Sequence, residues 1–85
     1  MEKDYKLISF IMRAKRRKSV LIALKETKIP KEIANECKIS ISNVSNTLPE
    51  LVKKGLVMCK NPEDHYYKYY ELTKKGRDVL KVLNL

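Results

Sequence analysis

The stretch from residue 30 to residue 55 constrains the fold of this chain more than any other part of the sequence. Pro30 suits the first turn of a helix, where a missing N–H has no partner to lose. Gly55 suits the position just after a helix. Between them, apolar side chains recur at helical spacing and predict two helices, 30–37 and 41–54, with a tight turn between them.

The turn and the second helix each place a demand on the backbone. A turn this tight requires a left-handed conformation at or near Lys38, which costs less for Gly or Asn. Ser40 is suited to cap the second helix. Pro49 lies inside that helix, where it removes one hydrogen bond and crowds the carbonyl of Ser45. Since the apolar periodicity resumes after Pro49, we expect a kink rather than an end.

The helix predicted at 41–54 has two unlike sides. Its apolar side, which should face a core, comprises Val44, Leu48, Leu51 and Val52. Its other side carries short amides and hydroxyls and one base: Ser42, Asn43, Asn46 and Lys53. A surface helix with such a face has little to contribute to a core, but its groups suit the base edges of the DNA major groove.

The remaining segments supply a scaffold. Apolar periodicity predicts further helices, and two short strands around a turn-rich loop predict a β-hairpin. The predicted ranges are helices 5–14, 16–26 and 74–84 and a hairpin at 56–72. The fold class expected is mainly α with a small β-hairpin, in a single domain spanning 1–85.

The net charge of the chain indicates the kind of partner that it binds. The chain has 19 basic and 10 acidic residues, a formal net charge of +9. This excess favours a polyanionic partner, and an apolar fraction of 44% is too high for a disordered basic tail. No apolar run reaches the ~18 residues that a membrane span needs. Two cysteines without a signal sequence predict a reducing, cytoplasmic location.

Several local patterns resemble winged helix-turn-helix regulators of the MarR/ArsR type, especially their short archaeal members. The resemblance spans nearly the whole chain and is carried by KEIA at 31–34, ISISNVS at 39–45, Leu48 followed by LVKKGLV at 51–57, YELTKKG at 70–76, SFIMRAK at 9–15 and NPE at 61–63. Three positions depart from the family pattern. Asn46 stands where Arg is frequent, Pro49 is rare, and Ile29 replaces a capping Thr or Ser.

The resemblance implies a transcription regulator that binds double-stranded DNA as a homodimer. Helix 41–54 would lie in the major groove, and hairpin 56–72 would be the wing. Asn46 is the preferred base contact, because an amide pairs with both N6 and N7 of adenine. The full set of expected DNA contacts is Arg16, Arg17, Lys31, Ser42, Asn43, Ser45, Asn46, Lys53, Lys60 and His65.

The helices at the two ends of the chain carry apolar arcs that are broader than one core contact requires. We therefore expect a homodimer through Leu7 and Ile11 of the first helix and Val79, Val82 and Leu83 of the last.

Other functions remain open at this point. A winged helix used for protein–protein contact is the main alternative, favoured by Pro49 and by the acidic Glu63 and Asp64 in the predicted wing. The spacing of Cys37, Cys59 and His65 matches no metal motif, and no arrangement of a nucleophile with a base is evident. We expect no enzyme activity, no metal and no cofactor.

Overall fold

The computed structural model describes residues 4–85, so residues 1–3 of the domain predicted at 1–85 lie outside the described residues. It contains five helices and a two-stranded antiparallel hairpin, which confirms the expected fold class. The elements are α1 (Tyr5–Met12), α2 (Lys15–Ala23), α3 (Pro30–Cys37), α4 (Ile41–Lys53), β1 (Val57–Cys59), β2 (Tyr70–Leu72) and α5 (Lys74–Val82).

The first two helices meet at Ala14. Asp4 caps α1, since its carboxylate accepts a hydrogen bond from the Leu7 N–H at 3.0 Å. Helix α1 ends at Met12, two residues earlier than predicted, and α2 begins at Lys15, one residue earlier. The reason is the extended backbone of Ala14 (φ −132°, ψ 115°), which serves as the N-terminal boundary of α2.

The turn between α3 and α4 has the backbone expected from the sequence. Lys38 adopts the left-handed conformation (φ 55°, ψ 44°), and the Ser40 hydroxyl accepts a hydrogen bond from the Asn43 N–H at 3.1 Å. At the start of α3, the Glu32 carboxylate accepts a hydrogen bond from the Ile29 N–H at 3.0 Å. This bond offsets part of the cost of an Ile in a capping position.

Helix α4 continues through Pro49 and ends at Lys53. Gly55 follows with φ 76°, a conformation that glycine adopts without strain. Thr47 is fully buried and Val52 is 42% exposed, so the prediction that Val52 faces the core was wrong. The buried side of α4 therefore comprises Val44, Thr47, Leu48 and Leu51.

The hairpin is shorter than predicted. Strand β1 pairs with β2 in the register Val57 opposite Leu72 and Cys59 opposite Tyr70. Within the hairpin predicted at 56–72, residues 60–69 lie outside both strands. Tyr70 also exchanges backbone hydrogen bonds with Lys28, which ties the segment before α3 to the hairpin.

A single apolar core joins all five helices and both strands. Three residues predicted to form a dimer contact lie inside it: Leu7 is 6% exposed, Ile11 0% and Val79 1%. Their assignment to a subunit surface was wrong, because one chain already buries them. Val82 and Leu83 are half-buried, and Leu83 packs against the same core.

None of the helices described within residues 4–85 has the length and the apolar run needed to span a membrane.

Candidate nucleic-acid interface

The outer face of α4 carries five of the ten predicted DNA contacts. Helix periodicity places its polar side chains away from the core formed by its buried side. The structure leaves Ser42, Asn43, Ser45, Asn46 and Lys53 all exposed on this helix. Donors and acceptors of this kind can form hydrogen bonds with base edges, while a lysine can pair with a phosphate.

Two further predicted contacts come together beside the N-terminal end of α3. Lys31 and His65 line the same open groove, which has a volume of about 350 Å³. Its remaining lining residues are Ile29, Pro30, Tyr66, Tyr67, Lys68 and Tyr70. The groove is therefore aromatic and basic, with Lys68 as a second ammonium group beside Lys31. Lys60 is also exposed, directly after β1.

The wing loop (residues 60–69) is shaped by two polar side chains. The Asn61 amide donates to the Tyr67 carbonyl at 2.6 Å and accepts from the Tyr69 N–H at 2.8 Å. The Asp64 carboxylate accepts from the N–H groups of Tyr66 and Tyr67 at 2.8 and 3.0 Å. These bonds satisfy backbone groups inside the loop, which explains why β2 does not begin until Tyr70.

The hydrogen bonds also lower the pKa of the Asp64 carboxyl. The Tyr67 N–H, and after it the Tyr66 N–H, lowers the pKa of this carboxyl below its ordinary value, because both favour the ionised form.

Arg16 and Arg17 make contacts within the chain. Arg16 Nη2 lies 3.1 Å from Glu50 Oε1, and Arg17 Nη2 lies 3.1 Å from Glu50 Oε2. The Arg17 hydrogen bond is the main reason that the pKa of Glu50 is lowered, and the charges of both arginines add to it. The structure thus gives each of these arginines an internal partner on α4, and their contact with phosphate stays a prediction.

The two cysteines are both free and half-buried. Burial raises the pKa of the Cys37 thiol, and the neighbouring Glu36 carboxylate adds to the rise. Within residues 4–85, no group of three His, Cys, Asp or Glu side chains is arranged to hold a metal ion.

Comparisons with families and curated proteins found no relative. No family model matches the chain, and no curated protein matches it either.

Solved structures, in contrast, match the chain over most of its length. One is the transcriptional repressor CouR bound to a 23-mer DNA duplex, with a TM-score of 0.75, 26% identity, 95% of this chain covered and 60% of CouR. NMB1585, a MarR family regulator from Neisseria meningitidis, matches with a TM-score of 0.76 and 22% identity, and the match covers 93% of this chain and 58% of NMB1585. The homodimeric winged helix-turn-helix DNA-binding domain of Mb0332 from Mycobacterium bovis matches with a TM-score of 0.73 and 19% identity, and the match covers 98% of this chain and 85% of that domain.

The chain has a winged helix-turn-helix fold. In this winged helix-turn-helix domain, α3 and α4 are the helix pair and the segment from β1 to β2 is the wing. The chain spans about 60% of the length of CouR and of NMB1585. The expected likeness to short archaeal members stays a prediction.

Four residues that shape the interface were missed at the level of sequence. Thr47 and Glu50 bond to Arg16 across more than thirty residues, a contact that no local pattern signals. The turn-forming residues Asn61 and Asp64 could have been recognised, because Asn and Asp side chains often bond to backbone groups a few residues away.

Proposed function

We propose that this chain is a sequence-specific, double-stranded DNA-binding transcriptional regulator that acts as a homodimer. Helix α4 would lie in the major groove, and the wing loop would lie beside the minor groove. The observation that carries the proposal is the exposed polar face of α4, whose side chains take no part in the core. The formal charge of +9 supports the proposal, since it favours contact with the phosphate backbone.

The compared structures support the same function. CouR has 26% identity to the chain and is a repressor bound to a DNA duplex. Mb0332 is a homodimeric DNA-binding domain. By analogy we infer a regulator without enzymatic activity, acting on DNA in the cytoplasm.

The proposal assigns the contacts by their position. Asn46 would read an adenine, with Asn43 and Ser45 beside it, and Ser42 would contact a phosphate near the start of α4. The basic side chains around this face would also bind phosphates. They are Lys31, Lys53, Lys60 and His65, and all of them are exposed.

The dimer surface that we propose differs from the sequence expectation. Tyr5 is 73% exposed and Met12 is 52% exposed at the two ends of α1. These side chains, rather than the buried residues of the same helix, are available to a second copy. Sedimentation at micromolar concentration should show a dimer that Met12→Lys weakens. A wild-type monomer under those conditions would contradict this part of the proposal.

Binding to duplex DNA is the primary test. The purified protein should retard a random duplex at about 50 mM salt and lose affinity steeply as salt rises, because counterions are released. Selection of bound duplexes from a random pool should then give the preferred site and its half-site spacing. The absence of binding at about 50 mM salt would reject the proposal.

The base contact has its own test. Asn46→Ala should relax the preference at one adenine by about 5- to 150-fold while random duplexes are bound as before. Asn35→Ala is the matched control, because Asn35 is an exposed amide on α3. An equal loss on every sequence would show that Asn46 does not read a base.

A protein-interaction module is the second candidate function. It is favoured by the exposed tyrosines of the wing loop: Tyr66 is 91% exposed, Tyr67 62% and Tyr69 44%. Exposed aromatic groups that lie close together often mark a contact with another protein. This function would become the leading one if the wild-type chain bound no duplex.

A further inference from the structure

We propose that Arg16, Arg17 and Glu50 form a clamp that positions α4 for sequence readout, and that both arginines are positioning residues rather than phosphate contacts. The inference rests on the proposed function, because it concerns how the reading helix is held. We call these three residues the clamp.

The clamp occupies both oxygens of one carboxylate. Arg16 donates to Glu50 Oε1 at 3.1 Å, and Arg17 donates to Oε2 at 3.1 Å and to Oε1 at 3.4 Å. Paired guanidinium–carboxylate contacts of this kind fix direction as well as distance. Because two helices supply the partners, the clamp sets the position of α4 against α2.

The clamp also reaches α1. Arg17 Nη1 donates to the Phe10 carbonyl at 2.9 Å, and its guanidinium carbon lies 3.9 Å from the centroid of the Phe10 ring. Arg17 therefore has three kinds of partner at once: a carboxylate, a carbonyl and an aromatic face. Its side chain is only 17% exposed, which leaves little of it for a phosphate.

The contact points on α4 lie on either side of Pro49. Arg16 Nε donates to Thr47 Oγ1 at 3.0 Å, while its other contact is with Glu50. Pro49 has no N–H, so the Ser45 carbonyl lacks its usual helical donor. The clamp thus holds α4 across the point where its own backbone hydrogen bonding is weakest.

Thr47 extends the clamp toward the reading residues. Its hydroxyl is fully buried and donates to the Asn43 carbonyl at 2.7 Å while it accepts from Arg16. Asn43, Thr47 and Glu50 follow one another on successive turns of the helix. A shift of the clamp would therefore move the backbone that carries Asn43 and Asn46.

Arginine-to-lysine substitution separates the two roles. Lysine keeps the positive charge that a phosphate contact needs, but it cannot bond to Thr47 and Glu50 with a planar fork. For Arg16→Lys, the clamp predicts that the ratio of affinities for the selected site and a scrambled duplex falls about tenfold, with an unchanged salt slope. A phosphate contact predicts that the ratio is retained, and that outcome would overturn the inference. Lys15→Arg is the control for exchange of basic groups at an exposed neighbouring position.

Neutralisation of Glu50 also gives different outcomes for the two roles. If the arginines contacted phosphate, Glu50→Gln would free them and strengthen binding to every duplex alike. The clamp predicts instead a loss of about tenfold in the same affinity ratio. Glu26→Gln is the matched control, since it makes the same change in net charge at an exposed position after α2.

Failure of the inference can be told from failure of the proposed function. A wild-type protein that binds no duplex rejects the proposed function, whereas wild-type binding with an unaltered ratio in both variants rejects only the clamp. Hydrogen exchange provides a readout without DNA: Arg16→Lys should speed exchange of α4 amides between Thr47 and Lys53, while amides of α5 keep their wild-type rates. Unchanged exchange in α4 would also count against the clamp.

Discussion

Helix α4 and the wing loop are the two parts of the proposed DNA surface, and they are held in different ways. Helix α4 bonds to α2 through pairs of residues that lie 31 to 34 positions apart, and it buries Val44, Thr47, Leu48 and Leu51 in the core. The wing loop is shaped by Asn61 and Asp64, whose partners lie two to eight positions away. Most of its side chains are exposed.

Helix α4 and the wing loop should therefore respond differently to substitutions elsewhere in the domain. The direction of α4 depends on the packing of the whole domain, so changes in α1 or α2 should alter readout without touching DNA. The wing loop has its shape from its own residues, so its contacts can change with little effect on the rest. Four sets of substitutions test this separation.

Loss of a buried side chain on α4 should have the largest effect. Leu51 is fully buried, and Leu51→Ala should lower the free energy of unfolding by about 2–5 kcal/mol, because it removes apolar contacts and leaves a cavity. Val52→Ala is the matched control on the next residue, and it should cost less than about 1 kcal/mol since Val52 is 42% exposed. Urea unfolding measures both. Equal costs would mean that α4 is rotated from the orientation described.

The base of the wing, unlike its loop, should be sensitive to packing. A Cβ atom on Gly76 of α5 would lie 2.2 Å from the carbonyl oxygen of Leu56 and 3.2 Å from Leu72 Cδ2. Gly76→Ala should therefore lower the free energy of unfolding by about 1–3 kcal/mol, because backbone and strand must shift. The exposed neighbour Lys75 provides the control substitution, Lys75→Ala, and denaturant titration is the measurement. A stability equal to wild type would show that α5 is not docked so closely against Leu56.

Within the wing loop, removal of an internal hydrogen-bonding group should act locally. Asn61→Ala removes the bonds to Tyr67 and Tyr69, with an expected cost of about 1 kcal/mol and faster exchange of the Tyr69 amide. Asn61→Asp is a useful comparison, because it keeps an acceptor for the Tyr69 N–H but replaces the donor to the Tyr67 carbonyl with a charged oxygen. If Asn61→Ala lowered the free energy of unfolding as much as Leu51→Ala does, the wing loop would not be independent of the core.

The two depressed carboxyl pKa values should respond to different substitutions. Both Glu50 and Asp64 should titrate below their ordinary values of 4.5 and 3.8. A lowered pKa contributes stability that is present above the ordinary value and is lost as pH falls through the folded value. NMR titration of the side-chain carboxyls measures both groups. Arg17→Lys should raise the pKa of Glu50 and leave that of Asp64 unchanged, and a change at both would show that the regions are coupled.

Much of the fold could be predicted because its signals are local. The left-handed turn at Lys38 and the cap at Ser40 follow from the conformational needs of a three-residue turn, and both are present. Periodicity likewise indicated which residues of α4 face outward, among them Asn46. The boundaries were less accurate, since the extended backbone at Ala14 depends on how α1 and α2 pack.

The failures share one physical cause. Whether an apolar residue faces the core or a subunit contact depends on what lies opposite it, and the sequence does not specify this for Leu7, Ile11 or Val79. The partner of an arginine is undetermined for the same reason. Periodicity can indicate that Arg16 is near a helix start, but not that Glu50 lies 3.1 Å away.

Local sequence was enough to predict the helix pair at 30–55, its turn and the polar outer face of α4, because these depend on spacing and on the preferences of neighbouring residues. Tertiary packing, in contrast, determines how α4 is held. It brought Arg16 and Arg17 to Glu50 and buried Thr47 beside Pro49, since such contacts arise only when helices distant in sequence pack together.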